Sequence, residues 1–181
     1  MSFADSQGEL SPAIFCIRGR SCAPPPQDCR VPGGKIALQA GDVSLWQTNR
    51  RPAGLYGCIG RGQPRFLDQG ASAQDVAGSW VAWFSAFSYG GFTSYIVGAR
   101  DLASTAGILI RLPNGSSDPR VVIDARGRLA YATSKTVVIA TPSQTIPIVE
   151  GQAIDPESLA LAGHTVYWLQ DGIARSYDLG T

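Results

Sequence analysis

One histidine, His164, one methionine and two lysines, Lys35 and Lys135, are all that this 181-residue sequence holds of those residue types. A lone imidazole leaves a serine nucleophile one possible base, and no G-x-S-x-G elbow is present to carry such a serine. Charged residues amount to 16%, against about 25% in an ordinary globular chain. Fifteen basic and fourteen acidic side chains leave a net charge of +1, and the arginines are scattered. Nucleic acids and acidic membrane surfaces demand clustered cations, so neither is expected as a partner. No apolar run approaches the roughly 20 residues of a membrane-spanning helix. Helical periodicity is missing too: no segment keeps apolar residues at i, i+3, i+4 and i+7 without Gly or Pro interrupting it. Phosphate-binding loops are absent, since Gly57-Cys58-Ile59-Gly60 with Gly62 lacks the following helix that would hold an anion. No catalytic residue, cofactor or metal is expected from any of these patterns.

What the chain does have is turn chemistry, with 21 glycines and 12 prolines. It also has four cysteines in its first third, Cys16, Cys22, Cys29 and Cys58, around the Pro-rich stretch Ala23 to Gln27. Their wide, unmatched intervals differ from the paired knuckles of zinc ribbons, so they read as a disulfide framework formed in an oxidising compartment. Met1 to Leu10 is polar and does not read as a signal peptide; the sequence is expected to be a mature, exported chain, extracellular or periplasmic. Residues 1–12 are expected to be a flexible lead and residues 13–181 a single domain.

An apolar strand ending on an aromatic residue, shortly after a turn glycine, occurs four times. The copies are Gly41 to Trp46, Gly78 to Trp83, Arg126 to Tyr131 and Gly163 to Trp168, the third with its glycine displaced by one position. The aromatics are 37, 48 and 37 residues apart. Each copy follows a short strand-like piece and precedes another β-rich run: Leu55 to Gly60, Phe92 to Arg100, Thr136 to Ala140 and Ile173 to Leu179. A fourth strand follows in three units, at Arg65 to Leu67, Gly107 to Arg111 and Thr145 to Val149. The last unit lacks it, while Ala13 to Arg18 is a β-rich run without a unit.

In strand order and spacing this pattern resembles β-propeller repeat proteins over residues 13–179, without the sequence markers of any one propeller family. The resemblance implies an all-β fold, a small β-propeller of four blades with four antiparallel strands each, closed by the N-terminal strand Ala13 to Arg18 pairing beside the last unit. A β-sandwich of about sixteen short strands and a ring completed only by oligomerisation are the alternatives. Spacing alone allows three cysteine pairings; proximity of the ring's ends suggests Cys16 with Cys58 and Cys22 with Cys29.

Among candidate functional residues, His164 sits in the turn slot filled by Asp42, Ser79 and Gly127 in the other units and reads as a solvated turn residue. Asp68, Asp75, Asp118, Asp124, Asp155, Asp171 and Asp178 could pair across loops as an acid and a base of the glycosidase kind, yet most flank Gly, Pro or strand ends, where turn-forming Asp belongs. Asn114-Gly115-Ser116 fits a glycosylation acceptor and, better, a tight turn. Trp46, Trp83, Tyr131 and Trp168 hold equivalent positions and are assigned to packing between sheets. Trp80, Phe84, Phe87, Tyr89 and Phe92 fall outside that register, an aromatic excess around one long hairpin, and Trp80, Tyr89, Phe92 and Tyr95 are the candidate binding residues. The functional expectation is a secreted, non-catalytic recognition or scaffold module for a protein or glycan. A polysaccharide hydrolase or lyase working through loop carboxylates, or an assembly domain forming homo-oligomers, are the alternatives.

Overall fold

The computed structural model describes residues 29–50, 53–114, 116, 118–151 and 153–180, except for the side chains of Tyr89 and Phe92. The described residues contain fifteen β-strands and no helix. The first four are β1 (Lys35–Ala40), β2 (Val43–Thr48), β3 (Gly54–Ile59) and β4 (Arg65–Asp68). They are followed by β5 (Ala71–Ala77), β6 (Trp80–Tyr89), β7 (Phe92–Asp101) and β8 (Gly107–Arg111). Then come β9 (Arg120–Ile123), β10 (Leu129–Ala132), β11 (Thr136–Ala140) and β12 (Thr145–Glu150). The last three are β13 (Ile154–Ala162), β14 (Thr165–Gln170) and β15 (Ile173–Asp178). Hydrogen bonding sorts them into four separate antiparallel sheets in chain order, three of four strands and a last one of three. Trp46, Trp83, Tyr131 and Trp168 each lie on the second strand of their sheet, and the third and fourth strands fall on the runs named above to within about two residues.

Glycine explains why the units fold locally. Two-residue loops join β1 to β2, β5 to β6 and β13 to β14, each opening on a glycine of positive φ: Gly41 at 55°, Gly78 at 59° and Gly163 at 59°. A positive φ at the first loop position matches the twist of the flanking strands and is available to glycine without strain.

The sheets pack face to face in sequence, β1 beside β5, β5 beside β9 and β9 beside β13. Between the first two lies a core of Val43, Leu45, Leu55, Val81, Trp83 and Leu102. Between the second and third sheets the core contains Trp80, Ala82, Val97, Val121, Leu129 and Tyr131. Between the third and fourth it contains Val122, Ala130, Val137, Ile154, Val166 and Trp168. Strand alternation produces this division, because consecutive residues face opposite sides and each central sheet can feed two cores. Among the described residues the fourth sheet makes no comparable packing with the first, and no sheet closes on itself.

Two expectations about the N-terminal region meet this fold differently. The closing strand Ala13 to Arg18 lies outside the described residues. The cysteine pairing is corrected: Cys58 is bonded to Cys29, with Cα atoms 5.9 Å apart, and therefore not to Cys16. Cys58 stands on β3 opposite Ser44, and the chain entering β1 passes that strand, which brings Cys29 within bonding reach. Cys16 and Cys22 lie outside the described residues.

Candidate functional site

The β6–β7 hairpin is the longest among the described residues, with two ten-residue strands paired from Trp80 opposite Asp101 to Tyr89 opposite Phe92. Its tip is Gly90-Gly91, both at positive φ. The pairing brings Tyr89 and Phe92 together at that tip, with Tyr95 three residues below. Trp80 is at the opposite end of β6, buried in the core between the second and third sheets. Its ring lies so close to Gly127 that a β-carbon there would come within 2.4 Å of it. Trp80 is thus a packing residue, separated from the hairpin tip by the length of a strand.

At the hairpin's end of the molecule, the chain from β8 to β9 folds against the hairpin. The Leu112 amide donates to the Tyr95 carbonyl at 2.9 Å, and the Ser94 hydroxyl donates to Asn114 Oδ1 at 3.2 Å. The Tyr95 hydroxyl is hydrogen-bonded to the Asp118 carboxylate, an interaction that, together with partial desolvation and the carboxylate's charge, raises the phenol above its ordinary pKa. Phe84 packs edge-on against Tyr95, ring centroids 6.4 Å apart, over the core shared with the third sheet.

Beside this buttressed connection lies a cavity of about 620 Å³, lined on one side by Leu112, Pro113, Asn114 and Ser116. Its other side is the β10–β11 turn and the end of β12, including Tyr131, Thr133, Lys135, Thr136 and Glu150. The turn is internally fixed. Thr133 Oγ1 accepts from the amides of Lys135 and Thr136, each at 3.2 Å, and the Gly151 amide donates to the Lys135 carbonyl at 2.9 Å. Tyr131 is buried, and desolvation holds its pKa above the usual tyrosine value, so its phenol stays neutral. Neither Lys135 nor Glu150, nor the cavity itself, was visible in the sequence. They meet because β11 pairs with β12, placing Thr136 opposite Glu150.

Among the described residues, the cavity presents hydroxyls, an amide, one cation and one carboxylate over an apolar floor. Among the described residues, Glu150 is the carboxylate that lines the cavity. The aspartates considered above are occupied in holding the fold. Asp68 accepts from Trp83 Nε1 at 3.2 Å and Ser85 Oγ at 2.8 Å, and Asp75 accepts from the Ile123 amide at 2.9 Å. Asp124 takes Arg128 Nε at 2.6 Å, and Asp155 and Asp178 accept from backbone amides two residues on. Asp171 sits in the β14–β15 turn with φ of 54°. His164, an exposed turn residue remote from the cavity, has its Nδ1 2.9 Å from Arg128 Nη2, whose N–H makes that ring nitrogen the acceptor. Among the described residues no group of three His, Cys, Asp or Glu side chains could hold a metal.

No family model matches the chain, no curated protein is similar to it and no solved structure matches its fold.

Proposed function

We propose that this protein is a secreted, non-catalytic recognition module that binds a segment of a partner protein in the cleft between the β6–β7 hairpin's buttress and the β10–β11 turn. The observation that carries the reading is the lining of the 620 Å³ cavity: Asn114, Thr133, Thr136 and Ser116 offer hydrogen bonds around the apolar Leu112, Pro113 and Val138. Such an arrangement suits the alternating amide groups and small apolar side chains of an extended peptide. Rigid loops carried by adjacent sheets supply the preorganisation that binding needs. Tyr89 and Phe92, paired at the hairpin tip, are assigned to the same binding surface, because aromatic residues are the commonest anchors of binding energy. Export to an oxidising compartment is supported by the Cys29–Cys58 bond. A propeller ring is the architecture this reading favours, on the strength of four consecutive antiparallel sheets stacked face to face.

Selection of a displayed random-peptide library against the full chain tests the proposal, with Asn114→Trp and Lys135→Glu variants as blocked controls. Enrichment of related peptides on the parent chain, and its loss on both variants, is the expected result. Equal enrichment on the variants, or selective capture of glycans with no peptide enrichment, overturns it.

A further inference from the structure

The repeat assigns each sheet two faces with different jobs. The aromatic of the second strand points back at the preceding sheet and is buried there: Trp83 is 3% exposed, and Tyr131 and Trp168 are each 5% exposed. The opposite face of each sheet receives the aromatic of the next one. Trp46 holds the equivalent position on the first sheet, but no described sheet lies in front of it. Around it, one row crosses all four strands, Ile36 opposite Trp46, Trp46 opposite Tyr56 and Tyr56 opposite Phe66. Tyr56 and Phe66 meet edge-on at 5.3 Å. The stretch leading into β1 covers part of this face, where Val31 is buried beside Tyr56 and Thr48. Ile36 remains 54% exposed and Phe66 45%.

The fourth sheet shows the converse. Its face toward the third sheet buries Val166 and Trp168, while the other face carries Tyr167 at 44% and Leu169 at 37% exposure among Ala160, Ala174 and Ser176. One end of the stack therefore displays large rings, and the other displays two apolar side chains set among small residues, the two halves of one more inter-sheet core. Charge agrees with this match. Arg30 and Arg50 border the open face of the first sheet at the end where β2 gives way to β3. Exposed Asp155, opposite Leu169, borders the free face of the fourth sheet at the corresponding end.

We infer that the chain associates head to tail with a second copy of itself, the open face of the first sheet receiving the free face of the partner copy's fourth sheet. Two large apolar side chains as exposed among the described residues as Ile36 and Phe66 are a liability for a monomer, and the same contact repeated between two copies closes the assembly into a ring. The residues chosen for testing are exposed, so their replacement leaves the three formed cores intact.

Light scattering after gel filtration at roughly 100 μM, a concentration at which even weak self-association registers, should return a dimer or a larger closed oligomer for the full chain. Ile36→Asp with Phe66→Asp, and separately Tyr167→Asp with Leu169→Asp, should each weaken association at least about tenfold with thermal unfolding unchanged. Mixing the two variants should restore a dimer, because each supplies the face that the other lacks. A monomer at that concentration overturns the inference, as does association that survives the Tyr167 and Leu169 changes. A chain that associates only after removal of residues 1–28 also overturns it, since its own N-terminal segment would then be what covers the face.

Discussion

The carboxylate of Asp75 accepts the backbone N–H of Ile123 at 2.9 Å, tying the first strand of the second sheet to the first strand of the third. Its other oxygen accepts the Val76 amide at 2.8 Å, beside the bulge between Ala73 and Asp75 that aims the side chain across the sheet boundary. Asp75→Ala should leave the Ile123 amide without its partner and destabilise the fold by about 1–3 kcal/mol. Asp75→Asn keeps one acceptor and should recover most of that loss. Equal melting temperatures for the alanine and parent chains would show that the bond contributes nothing.

Gly127 and Gly41 both hold positive φ, at 78° and 55°, but only Gly127 lies under a ring. Gly127→Ala should cost roughly 2–4 kcal/mol, combining left-handed strain with displacement of Trp80. Gly41→Ala meets open space and should cost only about 1 kcal/mol. Urea titration of the two variants side by side measures the difference, which should appear in the midpoint with an unchanged slope.

The bond between Cys29 and Cys58 spans 29 residues of sequence. Constraining a loop of that length in the unfolded chain is worth roughly 3–4 kcal/mol on the chain-entropy account. Cys29→Ser should lower the unfolding midpoint accordingly, and peptide mapping without reductant should yield one fragment joining these two cysteines. Recovery of a Cys16–Cys58 fragment instead would contradict the geometry.

Tyr95 donates to Asp118, and folding raises its pKa through that bond first, then through desolvation and the carboxylate's charge. Because the folded value lies above the unfolded one, the neutral phenol stabilises the fold at pH values below about 10, and that contribution disappears as pH climbs through the folded pKa. Asp118→Asn should move the Tyr95 titration back toward its ordinary range. Ultraviolet difference titration across alkaline pH detects the shift, and an unchanged curve would place the cause elsewhere.

Strand positions were legible because their causes are local. Gly107 to Arg111 and Thr136 to Ala140 coincide with β8 and β11, since apolar runs bounded by polar turns dictate a strand whatever surrounds it. The turn role of His164 was legible for the same reason, from Gly163 before it and the matching slots in other units. The site was largely hidden. Trp80 and Trp83 are three residues apart on β6, an odd interval that sends them to opposite faces and into different cores. Composition groups Trp80 with the hairpin aromatics, whereas packing against Gly127 removes it from the surface. The cleft joins Asn114 to Lys135 and Glu150 through two turns and a strand pair; of the three, the sequence marks only Asn114, and only as a turn residue.

By itself, then, the sequence determined the all-β class and the aromatic that marks the second strand of each sheet, because glycine turns and two-residue alternation act over a handful of positions. Only the tertiary structure decided that Cys29 is the partner of Cys58, that the aspartates are engaged in holding sheets and turns together, and that Trp46, unlike its three counterparts, has no described sheet in front of it. Those outcomes depend on which faces meet across tens of residues, and that is set by the summed packing of whole sheets, which no short stretch of sequence encodes.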